Sequence, residues 1–310
     1  MKAKHPCLEI RWMCERLEVS RSGYYSYLKA AERPVSKDEL EDMDRVRWAY
    51  DFKRRAKGAR LIKMTLQHEK GIVMNLKKIR RLMKKLELSC PIRKANPFRR
   101  MAKAIKTNSV FTNKLNRQFA TSKPGQHLLT DISYLYYGVN GRAYLSTVKD
   151  ASTNEIVAYS VSDRIDMSLV MDMLSKLDKV KWLPDRFMIH SDQGCHYTSK
   201  QYQKHLSEKG ITQSMSRKGN CWDNSPMESF FGHMKDELHL DECLTFEQLK
   251  KEMDDYMDYY NNSRCQWGLK QKTPKEYREY LLGLPSMELT VVGEKNSLPG
   301  LVQEGNPKES

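Results

Sequence analysis

The sequence contains no apolar run of the roughly 18 residues that a membrane-crossing helix needs. The basic start, Met1 to Glu9, has no apolar stretch behind it, so no secretory leader is expected and a cytoplasmic location follows. No C-x-x-C pair occurs among the seven cysteines Cys7, Cys14, Cys90, Cys195, Cys221, Cys243 and Cys265. That argues against a disulfide framework or a zinc ribbon and for free thiols in a reducing compartment. Acidic residues are scarce at the front. Residues 1–125 hold 32 Lys and Arg against 12 Asp and Glu, while the remainder holds 22 against 27. A front part near +20 calls for a polyanion, and nucleic acid is the usual one. An acidic second part suits a divalent metal.

What is present divides 310 residues into unequal regions. Residues 1–35 predict two short helices, the first with Leu8, Trp12, Cys14 and Leu17 inward, the second capped by Ser20, a helix-turn-helix-like segment. Residues 36–90 predict a basic helical DNA-binding domain, with Ser36 and Asn75 as caps and breaks at Gly58 and Gly71. Its last helix carries Lys77, Lys78, Arg80, Arg81, Lys84 and Lys85 opposite Ile79, Leu82 and Leu86. Such a face is either solvated or laid against phosphates, and its density favours phosphates. Residues 91–123 are a basic linker that includes Arg99 and Arg100, expected to track DNA.

From residue 124 the period changes. Strands are expected at 127–137, 142–150, 155–161, 187–190 and 211–215, with helices at 167–177, 199–209, 226–238 and 246–260. This order fits a mixed-sheet α/β domain over 124–284. The tail 285–310 is rich in Gly, Glu, Lys, Ser and Pro and is expected to be disordered.

Three acids stand out. Asp131 interrupts the apolar strand around Leu128, Leu129 and Leu135, Asp192 follows a short strand, and Glu228 falls in the first turn of a helix opened by Pro226. Each also has an ordinary reading: a solvent-facing strand residue, a turn former before Gly194, and the end of an S-x-x-E capping box begun by Ser225. Spacing alone does not choose, since a chain with 39 acids yields several pairs at any separation. Clustered carboxylates repel by about 4 kcal/mol per pair at 4 Å and an effective dielectric of 20. Magnesium or manganese relieves that repulsion, and a pair of such ions supports phosphodiester chemistry.

The segments T-D-I-S-Y, H-S-D-Q-G-C-H-Y, S-M-S-R-K-G-N-C-W-D-N-S-P-M-E-S-F-F and Y-N-N-S-R resemble the integrase core of bacterial insertion-sequence transposases, insertion sequence family three, second-frame product. The resemblance runs to about Tyr280. It implies a ribonuclease-H-like fold behind an all-α DNA-binding region. It also implies DNA cleavage and strand transfer with Asp131, Asp192 and Glu228 as metal ligands for two Mg2+ or Mn2+ ions. Lys235, seven residues past Glu228, then contacts terminal DNA unless it is simply an exposed lysine. Tyr260, Asn261 and Arg264 take a structural or DNA-backbone role, and Asp223 and Asn224 shape the loop before the catalytic helix. Implied partners are double-stranded DNA at element ends and target, further copies of the chain on DNA, and a first-frame protein. His127 stands near the place of a common Trp, and Ser225 where Ala is frequent. The retroviral His-His-Cys-Cys zinc module is lacking. The rival readings are a non-enzymatic DNA-binding regulator and a plain ribonuclease-H-type nuclease.

Overall fold

A computed structural model describes residues 9–31, 36–55, 57–90, 115, 123–216 and 224–284. The linker with Arg99 and Arg100, the tail, Leu8, Cys7, Cys221 and Asp223 lie outside the described residues.

Helices α1 (Ile10–Arg16) and α2 (Arg21–Ala31) pair at the N-terminal end. The inward face of α1 differs from expectation. Met13 and Cys14 are buried, whereas Trp12 and Leu17 remain 49% and 52% exposed. A seven-residue helix lying on one neighbour covers only a narrow stripe, so most of its apolar positions stay in water.

The next unit is α3 (Lys37–Asp51), α4 (Ala59–Lys70) and α5 (Leu76–Lys85). Its punctuation is local chemistry. Ser36 Oγ accepts from Glu39 N at 3.2 Å, and Asn75 Oδ1 accepts from Lys77 N at 2.8 Å. Gly71 ends α4 at φ +65°, a left-handed backbone that glycine adopts without strain. Val46, Ala49, Ile62, Leu66, Ile79 and Leu82 fill the space between the three helices and are fully buried.

A five-stranded sheet follows: β1 (His127–Tyr137), β2 (Gly141–Asp150), β3 (Ile156–Ser162), β4 (Met188–Ser191) and β5 (Thr212–Met215), in the order β3-β2-β1-β4-β5. The first three strands form an antiparallel meander, while β4 and β5 run parallel to β1. Helices α6 (Met167–Leu177) and α7 (Lys200–Glu208) connect the later strands. They cover one face with Leu128, Val148, Ile189 and Met215 beneath them. Helices α8 (Ser225–Glu237) and α9 (Phe246–Asn262) cover the other, over Leu129, Leu135 and Leu145. Alternate residues of β1 thus enter two different cores, the period-2 behaviour of a strand. Helix α10 (Pro274–Leu282) packs on α9.

The three-helix unit is seated on α8, α9 and α10 by polar anchors. Arg55 is buried, ion-paired with Glu252, and its guanidinium lies 5.3 Å from the Tyr256 ring centre. His68 Nε2 meets Glu276 at 2.8 Å. Lys57 donates to the carbonyls of Tyr50, Phe52 and Arg55, and burial lowers its pKa to about 8.

Candidate active site

Asp131 lies on β1 in phase with Leu129 and Leu135, the side chains that face α8 and α9. Its Oδ1 accepts from Ile132 N at 2.8 Å. Asp192 follows the end of β4, exposed, with Oδ1 accepting from Gly194 N at 2.9 Å. A Cβ at position 194 would lie 2.9 Å from that oxygen, so the glycine lets the turn close on the carboxylate.

The strand register brings the two acids together. On the parallel strands Leu128 pairs with Ile189 and Leu129 with His190. Asp131 and Asp192 each lie two residues further on, at the same level of neighbouring strands that run about 4.8 Å apart. The buried phenol of Tyr197 senses both. Its pKa is held well above the usual range by burial first, then by the charge of Asp131, with Asp192 adding to it. That phenol also meets Thr130 Oγ1 at 3.3 Å, which holds it beside β1.

Glu228 is exposed in the first turn of α8. The helix start is tied down next to Asp131. Asn224 Nδ2 donates to Thr130 O at 3.5 Å, and Lys149 Nζ donates to Pro226 O at 3.1 Å. Met227, Phe230 and Met234 bury the inner side of the helix against the sheet. The capping box that would have given Glu228 an ordinary role does not form. Asn224 is the N-cap and Ser225 is already helical, so the S-x-x-E frame is one residue out of step. Among the described residues no three His, Cys, Asp or Glu side chains are grouped tightly enough to hold a metal. Asp131 and Asp192 thus share a level on neighbouring strands, and Glu228 stands on a helix whose start is tied to Thr130.

The donor chemistry suits a hard divalent cation. Among the buried oxygens without a hydrogen-bond partner are two beside these carboxylates, Asn224 Oδ1 and Thr147 Oγ1. Thr147 is the cross-strand partner of Asp131. A buried polar atom left unpaired is costly, and a cation or its water shell would satisfy both.

The expected DNA contacts fare differently. Lys235 sits on α8 two turns beyond Glu228, half-buried. On α5, Lys77, Arg80 and Lys84 are exposed and make no ion pair among the described residues. Lys78 is instead paired with Asp42, Arg81 with Glu39 at 3.4 Å, and Lys85 with Glu39 at 2.8 Å. The basic face is thus split, because α3 supplies acids to one side of it. Of the two roles open to Arg264, its surroundings fit the structural one. Its guanidinium lies in the core, bonded to the fully buried Glu237 at 2.6 to 3.0 Å. Its charge is matched inside the protein, and its role is structural.

Sequence reasoning assigned no role to Tyr197 or Lys149. Lys149 carried a usable signal, a charged residue in the strand S-T-V-K-D that reads as buried. The helix α10 also had one, the T-P-K-E box at 273–276, which forms as written.

The Integrase core domain family matches residues 121–221, and a second Integrase core domain family matches 228–282. An HTH-like domain family matches 37–96, a span that includes α3 to α5. The transposase InsK of IS150 from Escherichia coli K12 is 38% identical over 264 residues, covering 84% of this chain and 90% of that protein. This chain belongs to the IS3-type insertion-sequence transposases. The IS904 transposase of Lactococcus lactis is 33% identical, covering 69% of this transposase and 84% of the relative. InsF of IS3A from Escherichia coli K12 is 28% identical, covering 83% and 90%. Among solved structures, the dimeric magnesium complex of the HTLV-2 integrase catalytic core aligns at 15% identity and a TM-score of 0.41, covering 50% of this chain and 97% of that one.

The transposase therefore has a mixed-sheet integrase core, preceded by an HTH-like helical domain. It is a polynucleotidyl transferase acting on DNA. No described helix is long and apolar enough to cross a membrane.

Proposed function

We propose that Asp131, Asp192 and Glu228 together hold two divalent ions, Mg2+ or Mn2+, and that this site both cuts and joins DNA at the ends of the insertion sequence. When bound, the ions supply an activated water or 3′-hydroxyl and a neutralising charge for the leaving oxygen. The observation that supports this reading is the common level of Asp131 and Asp192 on parallel strands, with the start of α8 tied to Thr130 beside them. Tyr197 and Gly194 keep the aspartates in place, and Asn224 sets where Glu228 begins its approach.

Hydrolysis of one phosphodiester at the element end releases a 3′-hydroxyl. That hydroxyl attacks a target phosphodiester, forming the new bond as the old 3′ oxygen leaves. No bond between protein and DNA is required. Lys77, Arg80, Lys84 and Lys235, with Arg99 and Arg100 of the linker, hold the DNA backbone, while Lys78 and Arg81 contribute less because α3 already pairs them. Element ends and target are both duplex DNA, met in the cytoplasm at the nucleoid. Two ends must be joined, so the transposase works as a homo-oligomer on DNA, and the first-frame protein is a further partner. Asp192→Asn tests the site: cleavage and joining should vanish while DNA binding persists. Joining at the wild-type rate would sink the assignment.

A further inference from the structure

A cavity of about 790 Å3 lies between the HTH-like domain and the catalytic core. Its walls come from the first turn of α4, from Arg80 on α5, from Lys149 on β2, from Ser229 and His233 on α8, and from the segment 264–268. None of its lining residues is an Asp or Glu. Arg264 is matched by Glu237, so the cavity's excess charge comes from Arg60, Arg80 and Lys149. Arg60 and Arg80 are exposed and make no ion pair among the described residues. Lys149 is only 4% exposed and has a backbone carbonyl as its acceptor. A cleft so lined repels cations and rewards an anion.

We propose that this cleft binds the sugar-phosphate backbone of a DNA strand leading to the catalytic carboxylates, with an unpaired base against Trp267. The proposal rests on the reading of Asp131, Asp192 and Glu228 as the strand-transfer site and adds a path for the strand. Three features beyond the cation set favour it. The α4 N-terminus faces the cleft, and its cap residue Gly58 offers no side chain to the first-turn N–H groups. Such an end suits a phosphate. Ser229 directly follows Glu228, so a strand with its reacting phosphate at Glu228 carries its neighbours into the cleft. Trp267 is 48% exposed, with the Arg60 guanidinium 5.8 Å from its ring centre, a cation and aromatic pair of the kind on which single-stranded bases stack.

The test uses the full chain and two probes: a duplex of the element end, blunt, and the same duplex with an unpaired flank on one strand. Fluorescence anisotropy is read across a salt series. Arg60→Glu and His233→Glu should each weaken binding of the flanked duplex about tenfold and lower the salt slope by about one. Trp267→Ala should remove the preference for the flanked over the blunt probe. Lys204→Glu, on the exposed side of α7, should bind as wild type. Thermal unfolding midpoints establish that each variant is folded, and His233, on the surface of α8, tolerates the change even if Arg60 does not. Wild-type affinity and slope in folded Arg60→Glu and His233→Glu would overturn the proposal. That result, combined with Asp192→Asn unable to join, would remove the cleft and leave the active site standing. Joining by Asp192→Asn would remove the active-site reading instead.

Discussion

Arg264 grips Glu237 through both carboxylate oxygens, with Nε at 3.0 and 2.9 Å and Nη2 at 2.6 Å from Oε1, at the junction of α8 and α9. The Glu237 side chain is fully buried, so its partner cannot be replaced by water. Arg264→Ala leaves a buried charge uncompensated and should cost about 3–5 kcal/mol of stability. Denaturant titration would measure this. The salt slope for DNA binding should not change, which separates the structural role from a phosphate contact. Arg264→Met with Glu237→Gln should recover part of the loss.

Asp131 and Asp192 sit level on two parallel strands, and repulsion between their charges should make the free site less stable than the metal-bound one. Added Mg2+ or Mn2+ should therefore raise the thermal unfolding midpoint, by linkage to the native state. Asp131→Asn and Asp192→Asn should remove most of that rise, and chelation should abolish cleavage. An equal rise in wild type and both variants would place the metal elsewhere.

The split face of α5 makes a graded prediction. Among the described residues Lys77, Arg80 and Lys84 are exposed without a carboxylate partner, whereas Lys78 and Arg81 are held by Asp42 and Glu39. The Lys78 ammonium holds the Asp42 carboxyl below its ordinary range against burial. Replacing Lys77, Arg80 and Lys84 together by Ala should reduce the slope of log affinity against log salt by about 2.7, at roughly 0.9 per phosphate. Lys78→Ala with Arg81→Ala should reduce it by much less. Equal slopes for the two sets would refute the division.

The seat of the helical domain should respond to pH. Burial disfavours the charged form of His68, but the Glu276 and Glu69 carboxylates outweigh it and its pKa is raised. The Glu276 carboxyl is lowered despite burial, chiefly by the Thr273 N–H and by His68. A raised histidine stabilises the fold fully below its unfolded pKa near 6.5, and that gain fades as pH climbs through the raised value. The glutamate's contribution holds above about 4.5 and is lost on acidification. His68→Ala should thus lower the unfolding midpoint most between about pH 5 and 6.5, and little at pH 9. A constant difference across pH would contradict this.

Much of the catalytic core was legible because its elements are strongly patterned. The strand at 127–137 and the helix at 167–177 lie at the expected bounds, and the caps Ser20, Ser36 and Asn75 act as expected. Local chemistry decides such features, and local chemistry is written in neighbouring residues. Arg264 was not legible, since a surface and a buried arginine look alike until Glu237, 27 positions away, is brought beside it. The same holds for Lys78, whose partner sits on another helix. The common level of Asp131 and Asp192 depends on a strand register set by 60 intervening residues. The motifs named the acids; only the parallel ladder sets them level.

The seating of the helical domain on α8 to α10 through Arg55 and His68 turns the transposase into a measuring gauge. On the proposed reading, one end of the gauge is α5, set against the duplex, and the other is the two aspartates at the strand ends. Bases along one strand advance about 3.4 Å each. The distance between the sequence gripped and the phosphate cut is then fixed by a protein dimension rather than by a second reading of the bases. Loosening either anchor should scatter the cut over neighbouring nucleotides before it abolishes cutting.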